Sequence, residues 1–293
     1  MTGSDGALQG KLRDQALALG ATYFGVADLA PVRTFVTAQG GDVVADYRFG
    51  VSVGIVLSDA VVDQLYQHVS RIIARTYQHH IYTVVGEMLD RLATTLAFEI
   101  ERTGYRAFPV PAGRPYNDER MMGLISHKLA AHLSGSGWIG KNCLLITKEH
   151  GPRVRWVTVL TDAPLTSTGG ALASGDECKE CSICVDLCPA GAFTGVPFNP
   201  AEDVEVRFHR SECRKYLSQR DRAYDARVCG LCVYVCPHGW SAKRKSDGQR
   251  TSPEVLRRQL TGVRRAFEAS LEQGGASVVA APAGGSATST RPA

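Results

Sequence analysis

The chain carries no long apolar run. No segment approaches the roughly 18 uninterrupted apolar residues of a spanning helix, and residues 1–10 lack the basic start and apolar stretch of an export signal. These absences exclude a helical membrane protein and lead to the expectation of a soluble, cytoplasmic chain without a membrane partner. Charge of one sign is also scarce. Lys plus Arg number 33 against 29 Asp plus Glu, and a net +4 over 293 residues is too mild to argue for a nucleic-acid or membrane surface. Cysteine is almost missing from most of the chain, since only Cys143 lies outside residues 178–236. No internal repeat stands out apart from the cysteine pattern itself.

The remaining eight cysteines fall within one short stretch. A reducing compartment opposes disulfides, so such a concentration points to metal. The first group is Cys178, Cys181, Cys184 and Cys188, followed by Pro189; the second is Cys213, Cys229, Cys232 and Cys236, followed by Pro237. C-x2-C-x2-C-x3-C-P is the bacterial ferredoxin run, in which three thiolates grip one 4Fe-4S cubane and the fourth reaches the other. On that topology Cys178, Cys181, Cys184 and Cys236 hold one cluster, and Cys188, Cys213, Cys229 and Cys232 hold the second. Zinc is the competing reading, because paired C-x2-C motifs also build tetrahedral sites. A triple followed by Cys-Pro, with Cys-Pro recurring, favours iron–sulfur.

Upstream, helical and extended patterns alternate. Residues 11–19 read as an amphipathic helix stopped at Gly20, 22–27 as a strand, 51–57 as a second strand and 58–76 as a helix. Val85, Leu89, Leu92, Leu96 and Ile100 recur at helical spacing within 84–103. Residues 107–110, 143–147 and 154–161 read as strands and 124–133 as a helix. The Ser-, Thr-, Gly- and Ala-rich stretch 164–175 marks a boundary. The expected domains are an α/β unit over 1–165, a cluster module over 166–245, one helix over 246–273 and a disordered tail over 274–293.

Gly135, Gly137 and Gly140 spell G-x-G-x-x-G, but a helix precedes them and a strand follows, the reverse of a phosphate loop's context. Cys143 reads as a buried structural thiol, and Tyr77, His79, His80 and Tyr82 form an aromatic, polar cluster.

Read together, Gly137-Trp138-Ile139-Gly140-Lys141-Asn142 and the order of all eight cysteines resemble the epoxyqueuosine reductase family. Weaker likeness lies at 19–26 and 160–162. The resemblance implies a nitroreductase-like, cobalamin-binding α/β domain joined to a two-cluster ferredoxin-like module. It further implies an oxidoreductase that takes electrons from a ferredoxin or flavodoxin and passes them through the clusters to cobalamin. On that reading Tyr77, His79, His80, Gly137, Trp138, Gly140, Lys141 and Asn142 line the cofactor. The family's proton-donating aspartate aligns without gaps to Met121, whose thioether cannot donate a proton. Asp118, Glu119 and His127 are therefore the candidate donors. Too little chain follows Cys236 for the helical repeats with which full-length members grip transfer RNA, so tRNA is expected to be an unlikely partner and the substrate a small molecule or modified nucleoside. The competing class is a non-catalytic electron carrier that docks a partner oxidoreductase and binds no corrinoid.

Overall fold

The computed structural model describes residues 4–113, 122–169 and 177–240, together with 254–258, 260, 261, 265 and 269 of a C-terminal helix. The expected proton donors Asp118 and Glu119, the Met121 position, residues 170–175 of the expected boundary and the expected tail lie outside the described residues.

Helix α1 (Ser4–Ala18) leads into strand β1 (Tyr23–Asp28) through Gly20, whose φ of 95° suits a residue without Cβ. Short helices α2 (Arg33–Gly40) and α3 (Asp42–Ala45) then return the chain to β2 (Phe49–Val56). The segment expected as one helix over 58–76 is broken. It forms α4 (Asp59–Val62), a 3-10 turn at Asp63–Gln67, and α5 (Arg71–Gln78). The break has a polar cause. Asp59 and Asp63 turn their carboxylates onto the buried Arg153 at 2.6 Å each, and the His68 carbonyl accepts from Arg220 at 2.5 Å. A π-helical turn at His79–Val84 continues α5 into α6 (Val85–Glu101), followed by β3 (Ala107–Val110) and α7 (His127–Leu133). The Ser126 hydroxyl accepts from the Leu129 amide and starts α7 three residues later than its apolar pattern suggests.

After the small hairpin β4 (Trp138–Ile139) and β5 (Leu145–Ile146), β6 (Val154–Thr161) completes a four-stranded sheet of order β1-β2-β6-β3. Every pairing in it is antiparallel, so the architecture is mixed α/β without the parallel crossovers that strand–helix alternation suggests. Central strands β2 and β6 are buried on both faces, which is why each reads as a nearly continuous apolar run. Val51, Val53, Val157 and Val159 face Leu89, Leu92, Leu96 and Ile100 in one core; Trp156 and Leu160 face Leu129 and Leu133 in another. Strand periodicity of two thus divides the domain into helix, sheet and helix layers.

The cysteine module adds α8 (Ile183–Asp186), α9 (Arg210–Tyr224) and α10 (Leu231–Tyr234). Its Val228, Leu231, Val233 and Tyr234, with Leu256 and Leu260 of the C-terminal helix, join the same core as Leu65 and Tyr77. Apolar packing therefore runs uninterrupted from the sheet domain to the cysteine loops. Residues 164–169 are not a free tether. Thr168 donates its amide to the Val26 carbonyl at 2.9 Å, and its hydroxyl donates to the Ser134 carbonyl at 2.8 Å.

Candidate metal centre

Two-residue gaps make the first cysteine loop a series of tight turns. The Cys181 amide donates to the Cys178 carbonyl at 2.8 Å, and Lys179 takes a left-handed φ of 46°. One turn of α8 then carries the chain to Cys188, whose sulfur accepts the Ala192 amide at 3.4 Å. The second loop turns at Gly230 (φ 80°), where an added Cβ would lie 2.4 Å from the Tyr77 ring. Glycine is thus required by both backbone and neighbour.

Cys178, Cys181, Cys184 and Cys236 line one cavity, together with Lys141, Asn142, Ile146, Pro237 and His238. Burial, then the neighbouring Cys236, Cys178 and Cys181, push the Cys184 thiol up to about 12. The Cys236 thiol is likewise pushed up to about 12, by burial first and by Cys178 and Cys181 among its neighbours. Cys213 stands in a different company: burial, then Cys229 and Cys188, raise it to about 12. Cys232 is raised by burial and then by Cys229, Cys213, Cys188 and Cys184. The thiols therefore gather into two groups of four, and Cys232 with Cys184 brings the groups side by side. Among the described residues no three His, Cys, Asp or Glu side chains close around a single-ion position. Buried thiols that raise one another's pKa are poor free thiolates, and a multivalent iron centre, which deprotonates its ligands outright, fits such a donor set.

The Gly-Trp-Ile-Gly-Lys-Asn segment is where the sheet domain meets this module. Asn142 Nδ2 donates to the Cys232 carbonyl at 3.1 Å, Lys141 donates to the Lys179 carbonyl, and the Trp138 ring meets His238 edge-on at 5.1 Å. Its glycines serve the hairpin: a Cβ on Gly137 would lie 2.1 Å from the Ile146 carbonyl oxygen, and one on Gly140 would lie 2.9 Å from the Ile146 side chain.

Tyr77 is buried, its ring against Gly230 and its unpartnered hydroxyl near Cys232 and Cys229. His79 is exposed, whereas half-buried His80 accepts the Ser58 amide at 3.0 Å. His127 is enclosed and uses both ring nitrogens: Nδ1 with the Thr158 hydroxyl at 2.9 Å and Nε2 with the Pro111 carbonyl at 3.1 Å. Burial lowers its pKa to about 4, so it is neutral at physiological pH. It is a tether rather than an acid. Asp90 Oδ1 accepts the Ala112 amide at 2.7 Å and Arg155 donates to the Ala112 carbonyl at 3.2 Å, so three side chains fix the backbone that leads toward Asp118 and Glu119.

Sequence reasoning missed the buried cations. Lys128 donates to the Cys143 carbonyl at 2.5 Å, Arg207 lies over the Phe198 ring at 4.8 Å, and Arg220 is fully enclosed. The signal for the last was the i, i+4, i+8 stripe Tyr216, Arg220 and Tyr224 on α9, hidden among that helix's other arginines.

Residues 177–239 match a family model described as "4Fe-4S double cluster binding domain". Fold and site together define an iron–sulfur protein in which a mixed α/β domain carries a double-cluster module. Among characterised proteins it is similar to epoxyqueuosine reductases. The one from Pseudomonas aeruginosa is 26% identical over 182 residues, covering 57% of this chain and 43% of the relative. That from Listeria monocytogenes is 31% identical over 149 residues, covering 47% and 36%. The chain thus spans less than half the length of these relatives. A selenomethionine-labelled epoxyqueuosine reductase structure matches with a TM-score of 0.50 at 15% identity, covering 91% of this chain and 84% of that one. A catabolic reductive dehalogenase in complex with 3-bromo-4-hydroxybenzoic acid matches with a TM-score of 0.57 at 18% identity, covering 90% and 36%. At these identities the likeness bears on fold alone.

The expectation that transfer RNA is an unlikely partner is corrected by these relatives. They are epoxyqueuosine reductases, and an epoxyqueuosine reductase has been solved with an epoxyqueuosine-modified tRNA-Tyr stem loop (TM-score 0.48, 16% identity, 89% and 82% covered). The expectation relied on missing helical repeats, but phosphate contacts can come from Lys- and Arg-bearing surface anywhere on a protein. Among the described residues no helix is long and apolar enough to cross a membrane.

Proposed function

We propose that this chain is an iron–sulfur reductase of the epoxyqueuosine reductase type, acting on a modified nucleoside carried by tRNA. In this reading Cys178, Cys181, Cys184 and Cys236 hold one 4Fe-4S cluster, and Cys188, Cys213, Cys229 and Cys232 hold the other. The observation that carries it is the grouping of the eight thiols into these two adjacent fours, with each Cys-Pro thiol in the group opposite its own run. The clusters supply one-electron chemistry. The chain's part is to set them in line: the first group borders a cavity with Lys141 and His238, while Cys229 and Cys232 pack against the core containing Leu65 and Tyr77. Residues 1–165 form the substrate domain, for which the flanked antiparallel sheet supports a nitroreductase-like description, and 166–245 form the cluster module. Asp118 and Glu119 are the proton donors, and His127 positions the backbone before them.

Cobalamin is the further cofactor that the family resemblance implies and the reductive dehalogenase fold suggests. Six of the eight residues expected to line it are engaged elsewhere and do not fit that role. Lys141 and Asn142 are bound to carbonyls of the cluster loops, Gly137 and Gly140 are filled by Ile146, Trp138 packs on His238, and Tyr77 lies in the core. That same observation favours a second reading, an electron carrier that reduces a docked oxidoreductase.

One experiment separates the two. Anaerobically reconstituted protein is reduced with dithionite and offered an epoxyqueuosine-modified tRNA-Tyr stem loop, with and without hydroxocobalamin. Conversion to queuosine supports the reductase. Eight irons per chain with no conversion under either condition supports the carrier.

A further inference from the structure

Arg220 is a buried cation without a counter-charge. Its relative exposure is 0%, and among the described residues it pairs with no carboxylate. Nε donates to the carbonyl of Val228, the residue before Cys229, and Nη2 donates to the His68 carbonyl at 2.5 Å. The guanidinium lies 5.1 Å from the Tyr224 ring centroid and 5.9 Å from that of Tyr216. Nη1 is buried and makes no hydrogen bond among the described residues. Enclosing a guanidinium in this way is costly unless something negative sits beside it. His68 offers nothing, because burial and Arg220 itself hold its imidazole neutral at about 3.

What lies beside Arg220 is the second group of thiols. The Val228 carbonyl that Arg220 holds immediately precedes Cys229, and Cys213 stands about two turns before Arg220 on α9. A cation also borders the first group, but Lys141 is partly exposed and donates to the Lys179 carbonyl, so water screens its charge, whereas Arg220 is fully enclosed. The two groups therefore sit in unequal fields.

We propose that Arg220 is the built-in counter-charge of the second cluster, its Nη1 donating to cluster sulfur, and that it places this cluster at the higher potential of the pair. The inference rests on the two-cluster reading given above. A fixed positive charge in a low-dielectric site favours the more negative, reduced form, so an electron arriving at the first cluster passes on to the second. The step is one electron from one cluster to the other, with no atom or proton transferred. Arg220 is in this sense a tuning residue, and the fold holds it with two backbone carbonyls and two rings so that its charge cannot swing away.

The test is an EPR-monitored redox titration of the reconstituted full chain. Arg220→Met is expected to lower one midpoint potential, the one belonging to the signal that Cys213→Ser alters, and to leave the other in place. Arg220→Lys is expected to shift it less. Should Arg220→Met lose iron while Arg220→Lys keeps eight, the need for charge is again supported. Unchanged midpoints in an eight-iron Arg220→Met protein overturn the inference, as does equal loss of iron from both variants, which a purely structural arginine would give. Fewer than eight irons in the unsubstituted chain would instead overturn the two-cluster reading itself.

Discussion

Asn142 reaches across from the sheet domain to donate its side-chain amide to the backbone carbonyl of Cys232 at 3.1 Å, while its Oδ1 accepts the Leu144 amide at the same distance. One buried side chain thereby ties the turn of the β4–β5 hairpin to a cluster loop. Asn142→Ala removes both bonds and leaves two buried backbone groups unmet, at a cost of about 2–4 kcal/mol. Urea unfolding of the anaerobic holoprotein checks this, and Asn142→Asp should fare no better because a carboxylate cannot donate to the carbonyl.

Tyr77 and Gly230 make an opposed pair of predictions. A Cβ at Gly230 would sit 2.4 Å from the Tyr77 ring, so Gly230→Ala is expected to destabilise by about 3 kcal/mol or more and to lower iron retention. Tyr77→Phe keeps the ring and removes a buried hydroxyl that has no hydrogen-bond partner among the described residues, so thermal unfolding should move upward or not at all.

His127 gives the chain an acid limb. Burial holds its folded pKa at about 4, below the unfolded value near 6.5, so the folded form binds fewer protons and its stability is present above pH 6.5 and lost as pH falls toward 4. At pH 5.5 the loss from this group is about 1.4 kcal/mol. Urea midpoints between pH 7.5 and 5.5 should therefore slope less steeply in His127→Gln than in the unsubstituted protein. A limb of the activity profile near pH 6.5 that vanished in this variant would instead restore His127 as an acid.

Asp118 and Glu119, adjacent in the chain, are the two proposed proton donors, and only one of them is expected to act. Removing the true donor, by Asp118→Asn or Glu119→Gln, is expected to lower kcat about 100-fold or more with little change in KM. The other substitution should leave kcat nearly intact. Both should retain eight irons, which separates chemistry from assembly.

Much of this was legible in the chain. The cysteine spacing marked the metal centre, and strands 107–110 and 154–161 stand where β-branched and apolar runs put them. Helix 58–76 was misread because its apolar period says nothing of Arg153, a distant residue that draws Asp59 and Asp63 out of line. Strand direction was equally hidden, since alternation of helix and strand does not fix how strands pair. The glycine-rich segment is ambiguous in sequence between a cofactor cradle and a structural turn, because glycine permits close approach of any neighbour; here the neighbour is Ile146 of the same hairpin. Arg220 escaped because burial of one arginine among several on a helix depends on what packs against it.

The crossed assignment turns on Cys188, which lies in the first run of sequence but is placed with Cys213, Cys229 and Cys232. EPR spectra of reduced Cys188→Ser, Cys213→Ser and Cys178→Ser proteins compare them directly. Interleaved ligation predicts that Cys188→Ser alters the same signal as Cys213→Ser and spares the one altered by Cys178→Ser. If Cys188→Ser and Cys178→Ser instead disturb one common signal, each run holds its own centre and the arrangement proposed for this protein is wrong.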